Sequence, residues 1–341
     1  MKEDSLVASQ VAPITQDSSP LRSETVASPN KRFVLTAIKY AISGVLIYWI
    51  LRGSNLSEIF SVLRSGDTPL FLLAFSLNFV SLYVSAYRWR VLLNAQGIDV
   101  PLFFLLKSCA VGVFFNNFLP STVGGDAMRA YDSWQAAKNK ASAVAVIFVD
   151  RFLGLLALML FALGAVIVSK ELTASLPFLY LWLVFITAAL LLFIWIVFWP
   201  SRWMSTVVPK ISLFFWPRLR SVLDKFLGAF VAFQGKKGAL VKGVGLSIIL
   251  QANVVMHYYF FAKGLNFSVP LYNFFLIVPL AALIMTIPVS INAIGVREHT
   301  FVFFFTAFGV SKIEAIALAW LIYGVVIFQG VLGGIIYALR R

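Results

Sequence analysis

The sequence predicts an all-α polytopic transmembrane helix bundle, with about six full spans plus two re-entrant hairpins, or eight spans if both hairpins cross. Three observations lead there. Hydrophobic residues make up 60% of the chain and charged residues only 12%, against about one-quarter charged in soluble domains, so most of the surface is solvated by lipid. The apolar residues gather into runs near the roughly 20 that a bilayer requires. Two of these runs end in polar motifs containing proline, which hydrocarbon tolerates only against protein or a water-filled cavity.

Residues 1–30 are rich in Ser, Thr, Ala and charged side chains and hold no apolar stretch long enough for a signal-peptide core, so they read as a disordered cytosolic tail. Residues 31–341 read as a single transmembrane domain. Lys31-Arg32 precede the first span, 33–51, as the positive flank that stays inside. The second span is 69–87, and Arg88 and Arg90 then read as cytoplasmic flanking charges. Spans 143–168 and 177–199 lead to the strongest orientation signal, Arg202 to Lys242, where eight basic residues face a single acid, Asp224. By the positive-inside rule that segment is cytoplasmic. The net charge of +14 is therefore assigned to orientation, with no nucleic-acid partner. Span 240–262 leaves the cytoplasm and span 315–339 returns to it, placing both termini inside a cell membrane, inner or plasma.

Loop parity then constrains the remaining two runs. The run 101–119 with Val123 to Gln135 restores parity as a hairpin opening to the cytoplasm. Leu271 to Ile287, turning through Pro288 to Glu298 and returning along His299 to Phe308, forms a second hairpin from the opposite face. Two opposed hairpins fit an inverted repeat whose broken helices meet near the midplane. Pro120 precedes Arg129 by the interval that separates Pro288 from Arg297, but Pro13 to Arg22 and Pro209 to Arg218 share it, so spacing alone does not establish a repeat.

Candidate binding residues lie at these interruptions. After Asn117 and Pro120, Gly124-Gly125 allow a sharp turn and close approach to a ligand, or simply a tight interhelical turn. A helix beginning near Asp126 would aim free N–H groups at the turn and, with Arg129, form a corner for a phosphate. Alternatively Asp126 caps the helix and pairs with Arg129. Asp150 and Arg151 point in different directions and each needs a partner elsewhere: Asp150 with Arg129 or Arg297, Arg151 with Asp126 or Glu298, unless Arg151 snorkels to the headgroups. The second cluster holds Asn292, Gly295, Arg297 and Glu298. Asn292 and Gly295 suit left-handed backbone, and an ordinary extracellular loop is the alternative reading.

Isolated polar residues read differently. Gln251, Asn253 and His257 on one helix join helices together, while Lys39 and Lys107 snorkel. The single cysteine, Cys109, precludes an internal disulfide. Two histidines far apart, and no HExxH, GxSxG, Walker A or GxGxxG motif, give no support to a metal, a cofactor or an ATP-driven pump.

Taken together, Asn117-Phe118-Leu119-Pro120 through Gly124-Gly125-Asp126 to Arg129, Asp150-Arg151 with Gly154, and Asn292-Ala293-Ile294-Gly295-Val296-Arg297-Glu298 resemble the lysylphosphatidylglycerol synthase transmembrane-domain family, also called flippase-like membrane proteins. The resemblance spans about residues 33–339, with Ala293 where the family often has glycine. It implies a bundle with re-entrant elements that moves or presents lipids between leaflets, aminoacylated phosphatidylglycerol in the best-understood members. Larger relatives add a soluble aminoacyl-transferase or glycosyltransferase domain. This chain carries neither, so it is expected to work on membrane lipids as a translocase for an anionic or phosphate-bearing headgroup, alongside a separate lipid-modifying enzyme. The alternative is a membrane enzyme or enzyme subunit acting on phospholipid or polyprenyl-phosphate headgroups, with Asp126 or Asp150 as general base.

Overall fold

The computed structural model describes residues 56–118, 124–137, 140–168, 235–286 and 290–340, with scattered positions between 181 and 233. The expected span 33–51, most of the span 177–199, most of the basic segment after Arg202, Lys39 and the Pro120 and Pro288 turns lie outside the described residues. Every regular element described is helical: α1 (Leu56–Arg64), α2 (Thr68–Ala95), α3 (Leu102–Phe118), α4 (Gly124–Ala137), α5 (Lys140–Val168), α6 (Lys237–Gly264), α7 (Leu271–Thr286), α8 (Val296–Thr306) and α9 (Lys312–Leu339). All belong to one compact unit, Lys39–Arg341.

Local signals set the helix ends. Asp67 caps α2, its carboxylate accepting from the Leu70 N–H at 3.2 Å, with a proline in the first turn. In α9, Ser311 accepts from the Glu314 N–H and Glu314 accepts in return from the Ser311 N–H at 2.9 Å, a reciprocal capping box. Among the described residues, four helices are long and apolar enough to cross a membrane: Thr68–Ala95, Ser142–Gly164, Lys237–Gly264 and Lys312–Leu339.

The long helices α2 and α6 pack antiparallel and are joined by polar contacts along their length. The Asp67 N–H donates to the Gly264 carbonyl at 2.8 Å. His257 Nδ1 lies 2.7 Å from the Ala74 carbonyl, and the Asn253 amide donates to the Leu77 carbonyl and Ser81 hydroxyl, each at 2.7 Å. Such side chains hold apolar helices together where lipid offers no hydrophobic drive for association, which is the role expected of Asn253 and His257. Lys107 is exposed, above the Phe103 ring.

Helix α9 crosses α3 at close range through Gly333 and Gly334. A Cβ on Gly333 would overlap the Ala110 carbonyl, and one on Gly334 would meet the Phe114 ring at 2.9 Å. Helices α3 and α4 form one antiparallel hairpin, and α7 and α8 form another. The open end of the first lies at the α9 C-terminus, where Arg340 pairs with Asp132 at 2.9 Å and covers the Phe104 ring. The open end of the second lies toward the α9 N-terminus, with Phe305 packed on Phe267 and Phe274. The hairpins thus enter from opposite ends of α9, and each lies in its own apolar cluster.

One sequence reading is corrected. Helix α2 does not stop at Tyr87 but runs on to Ala95, so Arg88 is an interior residue, 5% exposed, and not a loop charge. The apolar stripe continues past it through Trp89, Leu92 and Leu93, all fully buried. Arg90 does reach the surface, 3.6 Å from Asp99.

Candidate functional site

Five charged side chains from α2, α4 and α5 converge in the half of the bundle that holds the first hairpin. Asp150, 1% exposed, is gripped from two sides: Arg88 Nε donates to one carboxylate oxygen at 2.7 Å and Arg129 Nη2 to the other at 3.1 Å. A second donor of Arg88 reaches the Ser247 hydroxyl at 2.7 Å, and that hydroxyl donates to the Gly243 carbonyl. Gly154 faces the same guanidinium, since a Cβ there would already touch Nη1 at 3.6 Å. Arg151 binds Asp126 in a two-pronged contact, both hydrogen bonds at 2.6 Å. Arg129 Nη1 is 3.8 Å from Asp126, and its guanidinium lies 4.4 Å from the centre of the Trp89 ring.

Buried ions carry a desolvation cost of several kcal/mol each, so a cluster of this kind persists only when its members neutralise one another. Here the compensation is incomplete. The cluster lines a cavity of about 300 Å³, whose wall contains three guanidinium groups and two carboxylates, leaving one net positive charge. Arg129 is 7% exposed, and its Nε is buried without a hydrogen-bond partner. The cavity is completed by short or apolar groups, among them Gly112, Val113, Cys109, Leu82 and Leu250.

At the first hairpin tip, the Gly125 N–H donates to the Asn116 Oδ1 at 2.8 Å. A Cβ at Gly125 would overlap the Gly112 carbonyl and lie 2.7 Å from the Asn116 amide. The glycine therefore permits close helix packing, as in the interhelical-turn reading, while also bordering the cavity. Helix α4 starts at Gly124, two residues before the expected Asp126, and its Gly125 N–H is already occupied.

The second tip is a short 3₁₀ turn, Ile291–Ala293, with left-handed backbone at Asn292 (φ 49), Ala293 (φ 57) and Gly295 (φ 82). Glu298 accepts from the Gly295 N–H at 2.7 Å and so starts α8. Arg297, 7% exposed, donates to the Asn292 carbonyl at 3.3 Å and lies 5.0 Å from the Tyr323 ring. Among the described residues it has no carboxylate partner, and its Nε is unpaired. The two tips meet: the Asn292 amide donates to Asn117 Oδ1 at 3.0 Å, and the Asn117 amide donates to the Val326 carbonyl at 2.8 Å. Val326 is near the middle of α9.

The expected residues thus fall into two groups. Asp126, Arg129, Asp150, Arg151 and Gly125 share the cavity, with Gly124 at the base of α4. Asn117 and Asn292 form the contact between tips, Gly295, Arg297 and Glu298 belong to the second tip, and none of the five lines that cavity. Asp150 pairs with Arg129, and Arg151 with Asp126, as two of the expected alternatives. Arg297 does not pair with Asp150, which binds Arg88 and Arg129. Glu298 does not pair with Arg151 and caps its own helix instead. Arg88 and Ser247 are the site residues that the sequence reading passed over. The signal for Arg88 was the continuing apolar period of α2 on either side of it.

Apolar helices of spanning length around a buried charged cavity define an integral membrane protein. The chain belongs to the family described as lysylphosphatidylglycerol synthase TM region, which matches residues 36–334. It is similar to a UPF0104 membrane protein of Pyrococcus horikoshii, 22% identical over 315 residues that cover 85% of this chain and 91% of the relative. A UPF0104 membrane protein of Methanothermobacter thermautotrophicus is 24% identical over 277 residues, covering 74% and 80%. Another from Methanocaldococcus jannaschii is 22% identical over 301 residues, covering 84% and 89%. The likeness extends over most of each chain and is not confined to one motif.

Proposed function

We propose that this protein is a lipid translocase of the cell membrane, with both termini cytoplasmic, that handles an anionic or phosphate-bearing headgroup. The observation that carries this reading is the cavity with one net positive charge, lined by the guanidinium of Arg129. Guanidinium recognises phosphate through short charge-assisted hydrogen bonds. Arg297, unpaired beyond the tip contact, is the second station, so the two arginines would hold the headgroup in turn while the acyl tails stay in lipid.

The hairpin geometry supports alternating access. Helices α3 and α7 have 17 and 16 residues, about 25 Å each at 1.5 Å per residue, shorter than the roughly 30 Å hydrocarbon layer. Their tips touch halfway along α9. Opposed re-entrant elements meeting there would leave one thin contact to separate the two faces. The enzyme reading finds less support, because every oxygen of Asp126 and Asp150 already accepts from a guanidinium and neither is poised as a general base. Any chemical modification of the lipid would fall to a separate enzyme.

Reconstitution tests this. Purified protein in liposomes should move a labelled anionic phospholipid between leaflets without altering it, and Arg129→Ala should abolish the movement while leaving insertion and abundance intact. A modified lipid product would favour the enzyme reading instead.

A further inference from the structure

We infer that the charged cavity also binds a small inorganic monoanion, chloride above all, which occupies it between headgroups and exchanges with the phosphate of an incoming lipid. Only the exchange rests on the translocase reading. The charged side chains form an alternating chain, Arg88 to Asp150 at 2.7 Å, Asp150 to Arg129 at 3.1 Å, Arg129 to Asp126 at 3.8 Å and Asp126 to Arg151 at 2.6 Å. Both ends are guanidinium, so one positive charge has no carboxylate of the cavity to balance it. With Asp150 1% and Arg129 7% exposed, water screens that excess poorly, and an uncompensated charge in such surroundings is costly.

The hydrogen-bonding groups left open are donors. Arg88 uses Nε on Asp150 and Nη1 on Ser247, Arg129 uses Nη2 on Asp150, and Arg151 uses Nε and Nη2 on Asp126. One nitrogen of each guanidinium therefore makes no hydrogen bond among the described residues: Arg88 Nη2, Arg129 Nη1 and Arg151 Nη1. Arg129 Nε is enclosed and takes no part, whereas Arg88 Nη2 and Arg129 Nη1 are not enclosed, and the Arg151 side chain is 56% exposed. The Ser85 hydroxyl and the Asn116 amide stand on the same wall and can donate as well. A cation entering here would have to compete with three guanidinium groups for two carboxylates, while an anion completes the set.

Size and charge narrow the choice of anion. About 300 Å³, the share of roughly ten water molecules, takes a halide together with several of its waters, so its desolvation is partial. A monoanion brings the wall to neutrality, and a dianion would overshoot by one charge. A phosphodiester carries the same single charge as chloride and needs the same donors, so replacing one by the other leaves the cavity neutral at both stages.

The full chain, purified in detergent with sodium gluconate, is titrated with radioactive chloride, and a single saturable site is expected. Arg151→Gln removes the excess charge at the most exposed of the three arginines and should weaken chloride at least about tenfold, as for one unit charge at short range, while Arg151→Lys retains most of the binding. Ser85→Glu, which supplies the balancing charge from another helix, should weaken it likewise, with thermal unfolding as the check that each variant is folded. In phosphatidylcholine vesicles, fluorescent phosphatidylglycerol should displace the chloride, and chloride trapped opposite the labelled leaflet should speed its movement relative to gluconate. No saturable binding, or undiminished binding in both neutralised variants, overturns the inference even if lipid moves. Sulfate displacing chloride better than bromide does at equal concentration overturns the monoanion assignment. Bound chloride that the lipid does not displace overturns the exchange. Chloride displaced by phosphatidylglycerol that never changes leaflet keeps the inference and removes the translocase reading.

Discussion

The Asn292 side-chain amide donates to Asn117 Oδ1 at 3.0 Å and so joins two hairpin tips separated by 175 residues of chain. Asn117 passes the contact on to the Val326 carbonyl. A double-mutant cycle of Asn117→Ala and Asn292→Ala, read by denaturant unfolding in micelles, should give a coupling of about 0.6 kcal/mol, with an upper bound near 1.7. Coupling indistinguishable from zero would mean that the tips touch without holding each other.

Removing Asp150 should be the most damaging change in the charged cluster. Asp150→Asn leaves Arg88 and Arg129 facing each other in a buried site, at a cost of about 3–5 kcal/mol. The Asp126–Arg151 pair is partly solvated, with the Arg151 side chain 56% exposed, so Arg151→Gln should cost about 1 kcal/mol or less. The reverse ranking in thermal unfolding would mean that Arg88 and Arg129 are not in fact held by Asp150.

Ala293 occupies left-handed backbone, which costs an L-residue about 1–2 kcal/mol. Ala293→Gly should stabilise the protein by about 0.5–1 kcal/mol once the greater freedom of glycine in the unfolded chain is deducted. Destabilisation on this substitution would argue against a left-handed residue at the tip.

Two glycines of α9 should respond in opposite ways. Gly333→Ala drives a Cβ into the Ala110 carbonyl and should lift α9 from α3, costing about 1–3 kcal/mol. Gly324→Ala meets nothing within 4 Å and should be neutral or stabilising by up to about 1 kcal/mol through helix propensity. Similar losses at both sites would sink the close crossing.

Opposed hairpins have a labelling signature. With Cys109→Ser as background, single cysteines at Asp99, just before α3, and at Ser268, just before α7, are exposed. A membrane-impermeant thiol reagent should reach them from opposite sides. Labelling of both from one side would rule out the arrangement.

Much of this was legible in the sequence because lipid makes polar interruptions conspicuous. Both hairpins could be located from Pro and Gly next to charge, and the Asp150–Arg129 and Asp126–Arg151 pairs were among the partners that neutralisation required. Arg88 was not legible for an equally physical reason. A charge at the edge of an apolar run looks like a flank, and only the partner on α5 shows that it is interior. Arg297 was misplaced because spacing carries no distance: its motif parallels that of Arg129, yet the Asn117–Asn292 contact stands between it and the cavity cluster. Glu298 looked like a counter-charge, though a carboxylate three residues into a helix is equally suited to bind the N–H at its start, and here it does.

Asp132 of α4 also binds Ser108, within its own hairpin, but its cationic partner is Arg340, 208 residues further along. At about 5–20 residues per second of synthesis, the ribosome takes roughly 10–40 s to cover that interval. During that time α4 is present without the guanidinium that will neutralise it. The contacts of α4 with α3 and α5 can form long before this one, so the open end of the first hairpin gains its cationic partner only after α9 has been made.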